Sequence, residues 1–571
     1  MKKNWILNKN QTQSKRKFEE LEFATEKILI NRGVNTKKKV ESFFMPDYKK
    51  DLHNPFLLQD MEKAVKRFLE AAAGKQKVCI YGDYDADGIT SSALLHLFFD
   101  EINVNNFCYI PDRDKEGYGI NKDAIDYIKG KEADLIITVD CGVTNVEEVE
   151  YAKQKGIDVI VLDHHHVPEE IPDAAAVVDP KRKDSKYPFS ELAGVGVTFK
   201  FMQAAAERIE KYDPEKLKWY LDLVAIGTVA DCVPLIDENR ILVKFGLLVL
   251  SKTKNIGLKQ LFKVGRIDIS EHSFPTSQQI SFQIAPRINA AGRMDHANIA
   301  YKLLIQKSED VDQARSLALE LESQNQHRQK VTGYIIKKIE ENLANTKEIP
   351  KVIIEASPHW MIGVIGLAAG KISDKFNRPT ILLQDMGSTC RGSGRSVEGF
   401  NLIEALEKNG DLLSKFGGHN QAAGLTISNK NYTKFKNSFT KYAEDNLPED
   451  VEKKIYIDAT LRDEDISEKL VKEIAMLEPF GEGNKEPIFF WKEAEVKDKK
   501  LLGKNGEHLK MWLKGSKKKR LLEAIGFRFG EFFGKVKKGD RINALFNLEE
   551  NQWNGSKTLQ LKIVDLEIIN N

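Results

Sequence analysis

Residues 77–88 read Lys77-Val78-Cys79-Ile80-Tyr81-Gly82-Asp83-Tyr84-Asp85-Ala86-Asp87-Gly88. A short apolar run ends in three carboxylates at alternate positions, and a helical pattern, Thr90 to Ile102, follows at once. Strand then helix is the opening of a parallel βαβ unit. Carboxylates this close repel one another unless cations sit among them. The string Asp-x-Asp-x-Asp-Gly also resembles the start of a calcium-binding EF-hand loop. That reading fails at the twelfth loop position, Leu94, where a bidentate Glu is required, and the context is strand–helix rather than helix–loop–helix.

The same alternation continues outward. Further apolar runs at Phe107 to Ile110, Leu135 to Val139, Val159 to Leu162 and Ala175 to Val178 are separated by helical segments such as Val146 to Gln154, which predicts a parallel α/β domain over 71–250. Before it, residues 1–70 are polar and mixed-helical and read as an extension without a motif. After it, a connector over 251–348 contains one polar-rich helical stretch, Glu309 to Ala344, with acids at its start and no proline until Pro350. At 1.5 Å per residue this helix would be about 54 Å long, a strut between domains, with Gly333 as a point where it could bend. A smaller α/β unit over 349–450 follows, with strands at Val352 to Glu355 and Thr380 to Leu383 around the helical Val364 to Ile372. Residues 451–571 alternate in the strand manner, as in His508 to Leu513, Arg541 to Phe546 and Thr558 to Val564, and predict a small β-barrel.

A chain of 571 residues, 41% hydrophobic and 30% charged, is multidomain and globular, and no apolar run reaches the roughly 20 residues of a membrane span. Met1 to Asn10 holds no apolar segment of leader length, so a cytoplasmic location is expected. The cysteines, Cys79, Cys108, Cys141, Cys232 and Cys390, are odd in number and form no CxxC pair, which argues against disulfides and structural zinc and for reduced, mostly buried thiols. Lys497 to Arg520 holds ten Lys or Arg against two acids, a surface suited to a polyanion.

Three further sites repeat the first. Asp140 ends the run Leu135 to Val139, and Asp163-His164-His165-His166 ends Val159 to Leu162. The fourth is Asp231, an acid in the small, apolar Gly227-Thr228-Val229-Ala230-Asp231-Cys232, where burial without a partner would be costly. Ligands of open parallel sheets gather at the carboxyl ends of strands, so these groups should meet in one crevice. Asp83, Asp85, Asp87, Asp140 and Asp231 with His164 and His165 exceed what one ion can use. Mixed carboxylate and imidazole donors suit manganese, and magnesium or cobalt less selectively. Two cations sharing one carboxylate fit the count, and such pairs activate water for in-line attack at phosphorus.

In their order, Asp-x-Asp-x-Asp, Asp, Asp-His-His and Asp, each expected at a strand end, these motifs resemble the DHH phosphoesterase family. The resemblance implies an α/β multidomain chain: a parallel-sheet DHH domain, a long connecting helix, a smaller α/β DHHA1 domain and a C-terminal OB-like β-barrel. It implies two divalent cations, Mn2+ or Mg2+, one held by Asp83, Asp85 and Asp140 and the other by Asp87, Asp140, His164 and Asp231. Asp140 would be the bridge, and His165 would face the substrate and serve the leaving oxygen. His166 receives no role.

Outside these motifs, Pro111-Asp112-Arg113 with Glu116-Gly117-Tyr118-Gly119, Pro286-Arg287-Ile288-Asn289-Ala290-Ala291-Gly292-Arg293, and Leu477-Glu478-Pro479-Phe480-Gly481-Glu482-Gly483-Asn484 resemble the family's single-strand DNA exonucleases, from about residue 20 to the end. Gly392-Ser393-Gly394-Arg395-Ser396 and Gly417-Gly418-His419-Asn420-Gln421-Ala422-Ala423-Gly424 resemble the DHHA1 substrate domain. Two tight turns would explain those glycines by spacing alone. The resemblance implies instead a nucleotide pocket in which Ser393, Arg395 and Arg113 grip a terminal 5′-phosphate, His419 contributes, and Arg287, Asn289 and Arg293 hold the strand further along. Where these exonucleases commonly read Trp-His ahead of Gly-Val-Ile-Gly, this chain has His359-Trp360-Met361-Ile362, and His359 is given no role.

The implied activity is metal-dependent 5′→3′ degradation of single-stranded DNA to 5′-mononucleotides in repair and recombination, alongside single-strand binding protein and a helicase. Lys510, Trp512, Lys514 and the run Lys517 to Arg520 would give the barrel charge and a stacking surface, although Trp512 fits a core position equally well. A short-substrate phosphodiesterase would leave the extension, strut and barrel unexplained. A non-catalytic relative would not need acids or His at all six ligand positions.

Overall fold

The computed structural model describes residues 3–8, 16–270, 273–447, 452–515, 520–553 and 556–569. The chain forms two compact units, residues 53–233 with 245–452, and residues 1–52 with 234–244 and 453–571.

The first unit holds two sheets. In the larger one, β1 (Val78–Gly82), β2 (Asn106–Tyr109), β3 (Leu135–Val139), β4 (Asp158–Leu162) and β5 (Ala176–Val178) run parallel in the order β2-β1-β3-β4-β5. β1 and β3 are buried along their whole length, which is why they read as continuous apolar runs without alternation. The strand order changes direction between β1 and β3, so a crevice opens beyond their carboxyl ends. Helices α1 (Ala86–Glu101), α2 (Gly194–Arg208) and α3 (Leu221–Ala230) are buried nearly all round. α4 (Ala285–Met294) follows a single turn of π-helix at Ile280–Ile284.

The predicted strut is α5 (Val311–Ala344), one helix of 34 residues that Gly333 does not interrupt. Its buried residues, Ala314, Ala318, Leu321, Asn325, Thr332, Ile335, Ile339 and Leu343, recur mostly at three- and four-residue steps and form one stripe. That stripe packs against α4 and against α6 (Ile362–Phe376), so the helix does join the two α/β halves. Full burial of an Ile such as Ile335 is worth about 1.5–3 kcal/mol. The smaller sheet has β6 (Ile353–Ser357), β7 (Thr380–Asp385), β8 (Thr389–Arg395), β9 (Leu413–Gly418) and β10 (Ala422–Ser428), in the order β9-β10-β8-β7-β6. Only β6 and β7 pair in parallel.

In the second unit, β11 (Phe489–Leu502), β12 (His508–Lys514), β13 (Leu521–Gly526), β14 (Arg541–Trp553) and β15 (Ser556–Ile569) close into a barrel, because β14 pairs with β11 as well as with β15. Leu509, Met511 and Leu513 face its core, so the alternate residue Trp512 lies on the other side of the strand, half-buried, with Lys510 Nζ 5.2 Å from its ring centre. This favours a surface role for Trp512 over the core position. Arg520 is exposed, and Lys517 to Lys519 lie outside the described residues.

The stretch 1–70, an extension by sequence, divides. Ile28, Leu29 and Phe44 share one core with the barrel's Phe489 and Met511, and the strand Lys3–Leu7 pairs with Lys453–Ile457. The helix Met61–Ala73 instead packs on α2 and β5. All five cysteines are free thiols, with Cys232 exposed. Among the described residues no helix is long and apolar enough to cross a membrane.

Candidate active site

Asp83 leaves β1, and Asp85 caps α1 by accepting hydrogen bonds from the backbone N–H groups of Asp87 (2.8 Å) and Gly88 (3.1 Å). Asp87, in the first turn of α1, accepts from the N–H groups of Gly194 (2.7 Å) and Val195 (2.9 Å) at the start of α2. Two helix N-termini therefore steady acids that face the crevice. Asp140 follows β3 with a left-handed backbone, φ 61°. A Cβ on Gly194 would stand 2.7 Å from Asp140 Oδ1, so that position admits no side chain. Asp231 departs from expectation: it ends the helix α3 rather than a strand. A helix terminus brings a carboxylate to the crevice as well as a strand end does, and its apolar approach in sequence is the buried helix itself.

The groups converge. His164 Nε2 lies 3.1 Å from Asp140 Oδ1, 3.6 Å from Asp231 Oδ2 and 3.9 Å from Asp87 Oδ2. Ligand atoms of Asp83, Asp85 and Asp140 lie within 4.8 Å of one another, as do those of Asp87, His164 and Asp231, and those of Asp140, His164 and His165. Asp140 is common to the first and third sets, and His164 joins the second to the third.

Without cations this arrangement is frustrated. Burial, and then the charge of Asp85, hold the Asp83 carboxyl well above the usual carboxylate range. Burial with Asp231 does the same to Asp87, and burial with Asp87 to Asp140. Asp231 is pushed up to about 7 by burial and then Asp85, while burial and then His165 push His164 down to about 3. Asp83 Oδ1, Asp140 Oδ1 and His164 Nε2 are buried with no hydrogen-bond partner among the described residues. Orphaned carboxylate oxygens beside a neutral imidazole nitrogen are a donor set that divalent cations satisfy, so the residues fit the two ions the motifs imply.

His165 is held differently. Its Nδ1 stands 2.7 Å from Asp163 Oδ1 and 3.0 Å from the Tyr118 hydroxyl, which donates to the Asp140 carbonyl at 3.2 Å. Asp163 in turn accepts from Val143 N–H. A carboxylate at Nδ1 places the proton there. Burial opposes charge on His165, but the bond to Asp163 and its charge outweigh that and raise the imidazole to about 9.

A second array lies on the smaller sheet. Lys415, Thr426 and Arg391 are cross-strand partners on β9, β10 and β8, and Gly417, Gly424 and Ser393 form the next row on the same face. Arg395, beside Ala422, follows. These residues and Arg113 line one cavity of about 820 Å³. Arg395 donates to Ser393 Oγ at 2.7 Å. Burial, then the neighbouring Arg113, lower the guanidinium of Arg395.

The other residues singled out in the sequence take separate places. Arg293 is pushed down to about 10, by burial first and then by the positive charges of Arg113 and Arg328, with Arg395 adding to them. Arg287 is engaged by the protein: its Nε donates to Glu322 Oε2 at 2.6 Å, and its two terminal nitrogens donate to the carbonyls of Gln283 and Gly265. Asn289 accepts from the N–H of Ala86 at 2.8 Å, which ties α4 to the carboxylate loop. His419 is exposed, its N–H bonded to the Ala422 carbonyl, and it is not among the residues lining the cavity. Sequence reasoning missed Arg328, Arg391 and Lys415, and it quoted Asp163 and Tyr118 inside motifs without giving them a role. Only the register between strands brings Arg391 and Lys415 together.

Fold and site together define a phosphoesterase of the DHH class. The DHH family, N-terminal domain, matches residues 77–228, the DHHA1 domain matches 350–446 and the RecJ OB domain matches 457–565. The single-stranded-DNA-specific exonuclease RecJ of Bacillus subtilis is 38% identical over 95% of this chain and 67% of its own length, and that of Haemophilus influenzae is 35% identical over 91% and 92%. The crystal structure of Thermus thermophilus RecJ in complex with Mn2+ superimposes with a TM-score of 0.82 at 28% identity, covering 100% of this chain and 80% of that one, and its Mg2+ complex matches at 0.77. The chain belongs to the RecJ family.

Proposed function

We propose that this protein is a metal-dependent 5′→3′ exonuclease that degrades single-stranded DNA to 5′-mononucleotides. One observation carries the reading: a single segment serves both arrays. Its Arg113 to Gly117 line the cationic cavity, while the next residue, Tyr118, bonds to His165 and to the Asp140 carbonyl. A terminal phosphate gripped by Arg113, Ser393 and Arg395 therefore sits beside the carboxylate cluster, and only the first internucleotide bond comes within reach.

Asp83, Asp85 and Asp140 would hold one cation, and Asp87, Asp140, His164 and Asp231 would hold the other. When bound, such a pair supplies an activated water and neutralises charge at the phosphate. The protein does the rest. Arg113 and Arg395 fix the 5′ end by charge-assisted, fork-like hydrogen bonds. His165, with Nδ1 locked by Asp163, presents Nε2 to the leaving 3′-oxygen and gives it a proton. Departure of the mononucleotide leaves a new 5′-phosphate, which repeats the binding step. Arg293 adds positive charge beside Arg113 and Arg395, with Arg328 near it, and Arg287 and Asn289 act through their protein partners. Trp512 and Lys510 offer the barrel's stacking and charged surface to the trailing strand. Family membership supports a cytoplasmic role in repair and recombination beside single-strand binding protein and a helicase.

A time course on a 5′-phosphorylated single strand labelled at either end, with Mn2+, Mg2+ or chelator, tests this. Immediate mononucleotides from the 5′ end are expected, and none with chelator. Preference for dinucleotides over long strands, or release from the 3′ end, would refute it.

A further inference from the structure

Arg113 has no hydrogen bond or ion pair among the described residues. Its guanidinium carbon instead lies 5.3 Å from the centre of the Tyr84 ring. Tyr84 stands between Asp83 and Asp85, inside the carboxylate loop. Its backbone is held by α4: a Cβ on Gly292 would stand 2.7 Å from the Tyr84 carbonyl oxygen, and Asn289 holds the N–H of Ala86 two residues on. The Tyr84 hydroxyl makes no hydrogen bond among the described residues, so the face of the ring, rather than its polar end, is what the molecule uses.

Resting on the function proposed above, we infer that Tyr84 is a positioning residue: its ring holds Arg113 at a set distance from the carboxylate loop and so ties recognition of the 5′-phosphate to the point of cleavage. The physical need is clear. Arg113 sits on a loop, close to the like charges of Arg293 and Arg395 that would drive it outward. An unpaired guanidinium on a loop samples many rotamers, and ordering it on phosphate binding would weaken that binding. An aromatic face satisfies the cation without occupying the donors that the phosphate needs, whereas a carboxylate partner would compete for them. Because the ring belongs to the metal-binding loop itself, no intervening element can slip between the two sites.

Stacking of this kind is worth a factor of about three to thirty in affinity, depending on how dry the contact is. The experiment compares Tyr84→Leu, Tyr84→Phe, Arg113→Ala and the Tyr84→Leu/Arg113→Ala double variant of the full chain on 5′-phosphorylated and 5′-hydroxyl single strands, with Mn2+ affinity measured on each. Tyr84→Leu should raise KM for the phosphorylated strand about tenfold, with kcat within about twofold, and should flatten the preference for phosphate over hydroxyl. Tyr84→Phe should retain that preference. The double variant should be no worse than Arg113→Ala, because the two residues form one device. Multiplying losses in the double variant would overturn the inference, as would weakened Mn2+ binding with the preference intact. If Arg113→Ala itself left the preference unchanged, the phosphate pocket would fall and this role with it. If Arg113→Ala removed the preference and Tyr84→Leu did not, only the role of Tyr84 would fall.

Discussion

The carboxylate cluster of the larger sheet and the cationic face of the smaller one are strained in opposite senses. In the first, buried acids repel one another and keep oxygens without partners among the described residues, so protons or cations must enter. In the second, Arg395 of the smaller sheet faces the like charge of Arg113, both act on Arg293, and an anion relieves them. Both are built from groups that destabilise the empty protein, and each is completed by what the other cannot hold. A phosphodiester with its cations is the ligand that answers both. The difference between them is rigidity: the acids sit at strand and helix ends, while Arg113 sits on a loop.

Asp140→Ala breaks this comparison most severely. It should lower Mn2+-dependent release of mononucleotides by about 10³-fold or more, measured on a labelled single strand, because the shared carboxylate is gone. The same variant, in chelator, should melt no lower than the parent, since it removes a buried, repelled carboxylate. Residual activity above a few per cent would refute the ligand assignment.

Arg395→Ala attacks the other side. KM for a 5′-phosphorylated strand should rise about tenfold to a hundredfold with kcat little changed, the signature of lost binding rather than lost chemistry. A fall in kcat alone would place Arg395 in the chemical step instead. Divalent cations then sharpen the contrast thermodynamically. Mn2+ at a hundredfold its Kd should stabilise the parent by about 2.7 kcal/mol for each site filled, seen as a higher midpoint in calorimetry, and Asp140→Ala should abolish that gain. The smallest effect belongs to the barrel: Trp512→Ala should raise KM about fivefold for a long strand and leave a tetranucleotide unaffected, in side-by-side kinetics.

Much of the acid site was legible because its geometry is local. An apolar run followed at once by Asp, as at Tyr81 to Asp87 or Val139-Asp140, already places a carboxylate at the end of a buried strand. Asp231 was legible as a motif but not as a helix end, since a helix buried all round has the same apolar spelling as a buried strand. The cationic face was legible only where a glycine motif marked it. Arg391 and Lys415 are ordinary charges on their own strands, and the antiparallel register across β10 is what sets them in one row. Arg287 and Asn289 show the converse: in sequence they are free polar groups, whereas Glu322 and the N–H of Ala86 claim them in the fold. The first fifty residues gave no hint that they share a core with the barrel, because such packing depends on side chains more than four hundred positions away.

By itself the sequence determined the parallel sheet, the order of the acids and histidines, and the polar strut, since each follows from neighbours within a turn or a strand. Only the tertiary structure decided which polar groups stay unclaimed. His165 is locked by Asp163, Asn289 is occupied by a backbone amide, and Arg113 is left to an aromatic face with its donors open. Whether a side chain can serve a ligand depends on what remains after the protein has satisfied itself, and that balance is struck between residues far apart in the chain.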